Sequence, residues 1–143
     1  MNITQLSVFL ENKPGRLQHV LKILADKQIN IKTLTIAEVS DFGILRMIVS
    51  RPEEAHDALR AEHITCSKTD VLAVCIDDTP GALYKLIDSF AKRTINIEYM
   101  YAFTEKADDK AVMIFRFDDI ELAKKALSEE GYSVLKKIDI HGA

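Results

Sequence analysis

Asn12-Lys-Pro-Gly-Arg-Leu17 returns 66 residues later as Asp78-Thr-Pro-Gly-Ala-Leu83, and each copy runs into an apolar helical stretch that closes on Ile-Asn-Ile, at Ile29–Ile31 and at Ile95–Ile97. A repeat of this length makes each copy one structural unit. The same offset pairs Leu17 with Leu83, Leu21 with Ile87, Leu24 with Phe90 and Asn30 with Asn96. Upstream it pairs Gln5–Leu10 with Val71–Ile76, and further on an offset of 68 pairs Ala55–Leu59 with Ala123–Leu127. Small insertions of this kind belong in loops, where closure entropy grows slowly with length.

Each copy carries the same succession of periodicities. Residues 4–10 alternate or run apolar, as a strand does. Leu17, Val20, Leu21 and Leu24 form the i, i+3, i+4, i+7 stripe of a helix over 14–27, with Pro14 suited to its first turn. Strands are predicted over 30–39 and 44–50, joined through Ser40-Asp-Phe-Gly43, then a helix over 52–60 and a strand near 63–68. The second copy predicts strand 70–76, helix 80–93, strands 96–105 and 111–117, helix 119–130 and strand 132–140. The order β-α-β-β-α-β is the ferredoxin-like arrangement, an antiparallel sheet with both helices on one face. The expected fold is α+β: two such modules, 1–69 and 70–143, joined at Thr69-Asp70 and packed side by side to cover a sheet edge.

Composition removes several function classes. A hydrophobic fraction of 48% supports a real core, and a net charge of −3 offers no basic footprint for nucleic acid. No apolar run approaches a membrane span and the first residues do not read as a signal peptide, so a cytoplasmic location is expected. Cys66 and Cys75 lack metal-ligand spacing and read as small hydrophobes. His19, His56, His63 and His141 stand beside no nucleophile or metal motif, so neither catalysis, metal nor cofactor is expected. RNA-recognition domains share the element order but stack bases on aromatics of a central strand. Here Gly43–Val49 is aliphatic, and Phe115 and Phe117 read as core or interface.

The chemistry is expected at the Pro-Gly turns. A helix start offers unpaired N–H groups and a positive dipole end, and Gly15 and Gly81 let a ligand approach the backbone. Asn12 can donate to a carboxylate and accept from an ammonium, which suits a zwitterion. In the alternative reading Asn12 and Asp78 are turn formers, and Asn30 and Asn96 close the preceding helices in the left-handed conformation.

Glu11–Leu17 followed by Ile29-Asn-Ile31 resembles the signature of the ACT domain, and Asp78–Leu83 with Asn96 resembles it again. The first copy is similar to the N-terminal domain of acetolactate synthase regulatory subunits and to the serine-sensing domain of phosphoglycerate dehydrogenases. The resemblance implies a sensor or regulatory protein binding a free amino acid where two modules meet. Its partners would be that small molecule, a further copy of the chain, or a catalytic enzyme subunit. It places Asn12, Lys13, Pro14, Gly15, Arg16, Leu17, Asn30 and Ile31 in the ligand site. Asp78, Gly81, Ala82, Leu83, Asn96 and Tyr99 form a second or partner site. Thr79 can cap its helix whereas Lys13 is a poor cap, so the first turn is expected to stay open and to make the better site, completed by Asn96 or Tyr99.

Overall fold

The computed structural model describes residues 2–103 and 109–141. The chain divides into two compact units, residues 4–69 with 137–143 and residues 1–3 with 70–136, called the first and second module below. Each has the β-α-β-β-α-β order.

In the first module β1 (Ile3–Glu11) leads to α1 (Arg16–Asp26), β2 (Ile31–Val39), β3 (Phe42–Val49), α2 (Pro52–Ala61) and the start of β4 (Cys66–Asp77). The strand order is β2-β3-β1-β4. Antiparallel register sets Leu6 opposite Met47 and Val8 opposite Leu45, so the even residues of β1 share one face with the odd residues of β3. That face receives Val20 and Leu24 of α1 and Ala55 and Leu59 of α2, and these side chains form one buried cluster. The amphipathic stripe read from the sequence is what buries each helix.

The second module repeats the plan with the rest of β4, α3 (Ala82–Lys92), β5 (Ile97–Ala102), β6 (Lys110–Phe117), α4 (Ile120–Glu129) and β7 (Ser133–Val134), in the strand order β7-β4-β6-β5. Leu86 and Phe90 of α3 and Ala123, Ala126 and Leu127 of α4 pack on Leu72, Val74, Phe115 and Phe117. Phe90 meets Phe115 and Phe117 edge-on, with ring centres 5.8 and 5.0 Å away. Phe115 and Phe117 are fully buried, so these aromatics build core and offer no stacking platform.

The repeat reaches the backbone torsions. Left-handed residues recur at Gly15 and Gly81, Gln28 and Thr94, Ser40 and Asp109, and His63 and Gly131. The register shifts once in each module, between Ile31 and Thr33 and between Ile97 and Tyr99.

Two expectations are corrected. Strands 63–68 and 70–76 are one strand, β4, because nothing between Cys66 and Asp77 breaks it, so Thr69 and Asp70, where the two units divide, lie within a strand and not in a loop. The strand predicted over 132–140 stops at Val134, and Lys137–His141 form a short helix, α5. Ile140 and His141 of α5 are buried in the first module. There His141 Nδ1 donates to the Val49 carbonyl (2.6 Å), while Nε2 accepts from the Thr4 N–H (3.3 Å). Residues 104 and 105 of the strand predicted over 96–105 lie outside the described residues.

Candidate functional site

The two Pro-Gly turns have one geometry. Gly15 (φ 89°, ψ −15°) and Gly81 (φ 83°, ψ −9°) are the N-caps of α1 and α3, so Pro14 and Pro80 stand in the turn ahead of the helix and not in its first turn. The N–H of Asn12 reaches the Asp41 carbonyl (2.8 Å) as that of Asp78 reaches Asp109 (2.9 Å). Arg16 N–H bonds the Lys13 carbonyl and Ala82 N–H the Thr79 carbonyl.

Thr79 does not cap α3. Among the described residues no side chain caps either α1 or α3, and neither helix has an acid in its first turn. The left-handed glycine takes the N-cap position itself and leaves Thr79 two residues upstream of it. By contrast Asp119 caps α4 by accepting from Leu122 N–H, and Glu53 and Glu54 stand in the first turn of α2. Among the described helices, those opened by Pro-Gly are thus the two with neither a side-chain cap nor an acid in the first turn.

Asn30 and Asn96 do not close helices either. Gln28 and Thr94 take the left-handed position, and Ile29 and Ile95 N–H bond back to Leu24 and Phe90, which completes a Schellman motif in each copy. Asn30 N–H instead donates to Ser50 Oγ (3.0 Å) and Asn96 N–H to Asp118 Oδ1 (3.2 Å). Asn12, Asn30 and Asn96 are all exposed. The side chains of Leu17 and Ile31 are half-buried against the first core.

The turns differ in their charges. At the first, Glu11 pairs with Lys13 (3.1 Å) and Arg16 (3.5 Å), and the hydrogen bond and charge of Lys13, then the charge of Arg16, lower its pKa. At the second, Asp77 pairs across the strands with Lys110. A cavity of about 570 Å³ opens there, bounded by the turn from Thr79 to Ala82, by Lys85 and by Tyr132 and Ser133. Of the residues expected at a second site it takes in Gly81 and Ala82 but not Asp78, Leu83, Asn96 or Tyr99. Sequence reasoning missed Lys85, Lys110 and Tyr132. The available signal was their replacement of His19, Phe42 and Ile64 at equivalent places in the first copy.

Among the described residues no cluster of His, Cys, Asp and Glu could hold a metal ion, and no helix is long and apolar enough to cross a membrane. Burial raises the pKa of Cys66 to about 11, which keeps it a thiol.

Residues 1–141 match the family model of the ACT domain pair. The chain belongs to the ACT domain pair family. This ACT pair is similar to protein BT0572 from Bacteroides thetaiotaomicron, at 38% identity over 100% of this chain and 98% of that one, with a TM-score of 0.93. It shares its fold with the ligand-free regulatory subunit of aspartate kinase from Thermus thermophilus (19% identity, 88% and 91% covered, TM-score 0.64). The regulatory subunit from Thermus flavus is similar to the same degree (18% identity, 90% of each chain covered, TM-score 0.64). No curated protein matches this ACT pair.

Proposed function

We propose that this ACT pair is a non-catalytic regulatory sensor of a free amino acid. The observation that carries the reading is the recurrence, in an ACT chain, of a glycine-opened helix start without side-chain cap or first-turn acid. A carboxylate at such an end is stabilised by backbone N–H groups and the dipole. At the first turn the amides of Gly15 and Leu17 receive the carboxylate, that of Arg16 being held by the Lys13 carbonyl, and the exposed side chains of Asn12 and Asn30 orient the ammonium. The fold likeness to regulatory subunits of aspartate kinase supports a regulatory role. Binding shifts a conformational balance only by its difference in affinity between two states.

A thermal-shift screen of the whole chain against the twenty amino acids tests this. Ligand at ten times Kd adds about 1.4 kcal/mol, a rise of roughly 3–6 °C in Tm. Asn12→Ala removes most of that rise while leaving the ligand-free Tm within about 2 °C, since Asn12 is exposed. A flat response from folded protein defeats the reading. The resemblance of Glu11–Leu17 to acetolactate synthase regulatory subunits makes a branched-chain amino acid a candidate ligand, while the second full copy with its own Pro-Gly turn favours a free-standing sensor over a subunit of a catalytic enzyme. Copurification with a catalytic subunit decides between the two.

A further inference from the structure

The cavity in the second module is large enough for a small metabolite, since ligand pockets span roughly 300–1,000 Å³. Its walls carry four charged side chains, and both acids already have partners. Asp77 pairs with Lys110, and Glu130 pairs with Arg93 (3.2 Å), which also reaches Glu129, and accepts from Ser89 Oγ. Lys85 has no ion-pair partner among the described residues. Tyr132 keeps its phenolic proton, because burial and then the charges of Glu130 and Asp77 raise its pKa, and a protonated phenol can donate. Ser133 adds a second hydroxyl to the wall.

The equivalent places in the first module carry different side chains, and a smaller cavity of about 360 Å³ lies there beside Ile64 and Thr65. His19 stands where Lys85 does, Phe42 replaces Lys110 opposite the end of the strand, and Ile64 replaces Tyr132. Glu11, held by Lys13 and Arg16, supplies an internal anion; the second module has Thr79 and Ala82 instead of those two cations. The second copy has exchanged the two cations that hold Glu11 for Thr79 and Ala82, and adds at Lys85 a cation with no ion-pair partner among the described residues.

We propose that this cavity binds a small anion through carboxylate or phosphate oxygens, held by Lys85 with Tyr132 and Ser133, at a site separate from the first-module turn assigned above to the amino acid. A carboxylate and a phosphate meet the same donors here, so the test must separate them.

Isothermal titration of the whole chain with succinate and with inorganic phosphate, at constant ionic strength, is the direct experiment. Saturable binding of at least one is expected, and whichever binds more tightly names the source. Lys85→Gln should weaken that binding tenfold or more, and Asn12→Ala should leave it unchanged. Lys85 is exposed, so the variant should keep the wild-type Tm and serve as a folded control. Amide shifts on titration should centre on Thr79–Lys85 and Tyr132–Ser133. No saturable binding of either anion, equal binding by Lys85→Gln, or shifts confined to other parts of the chain would overturn the proposal. Amino-acid binding that is lost in Asn12→Ala and kept in Lys85→Gln would still stand, so the two readings fail independently.

Discussion

Gly15 and Gly81 hold a left-handed backbone in open space, with no heavy atom within 4 Å of where a Cβ would stand. Alanine there meets no neighbour, and its cost is the left-handed penalty of about 1–2 kcal/mol alone. Gly81→Ala should lower the urea-derived stability by that amount. Thr94 shows the converse: a β-branched residue held at φ 57°. Glycine relieves the strain but loses about 0.5–1 kcal/mol to unfolded-chain entropy, so Thr94→Gly should gain up to about 1 kcal/mol. His141 adds a pH dependence. It donates through Nδ1 and accepts at Nε2, so the fold needs the neutral ring; burial, with Lys137 and Lys32 nearby, lowers its pKa. A lowered pKa means the unfolded chain takes up the proton first. Its contribution is therefore full above the ordinary imidazole value of about 6.5 and is lost as pH falls below it. Urea midpoints at pH 7.5 and 5.5 should diverge for the wild type and diverge less for His141→Asn.

Among the elements, helix starts differ more than helix bodies. α4 begins on Asp119, whose side chain accepts from Leu122 N–H at 3.0 Å. Asp119→Ala should cost about 1 kcal/mol. Thr79→Ala, at a helix that a reader of the sequence would give to a threonine cap, should change stability by less than about 0.5 kcal/mol. Guanidinium unfolding of both variants checks the contrast. The helices and strands were legible because burial stripes such as Leu17, Val20 and Leu24 need only local spacing. The caps were not, because the left-handed torsion of Gly81 decides which residue is adjacent to the first turn. α5 was not legible either. Tyr132–Ile140 alternates as a strand would, and what turns Lys137–His141 into a helix is burial of Ile140 and His141 against distant residues.

At the scale of the molecule, each module has its own hydrophobic cluster, and the aromatic one lies in the second. Phe90→Ala should cost about 3–5 kcal/mol by leaving Phe115 and Phe117 without their edge contact, readable as a fallen unfolding midpoint. Doubling of the β-α-β-β-α-β unit was readable from Pro14 and Pro80 alone, because a repeated turn implies a repeated unit. The cavity beside Gly81 was not readable, because it depends on which of Lys85, Lys110 and Glu130 finds a partner in three dimensions. The ends of the chain carry a practical consequence. Asn2 and Ile3 are counted with the second module, where Asn2 bonds Asp70, while 137–141 are counted with the first. Splitting the gene between codons 69 and 70 would therefore yield two pieces that each carry a scrap of the other's fold and miss one of their own. Neither half is a fair proxy for its module; a self-sufficient first unit would need 137–141 grafted back after Thr69.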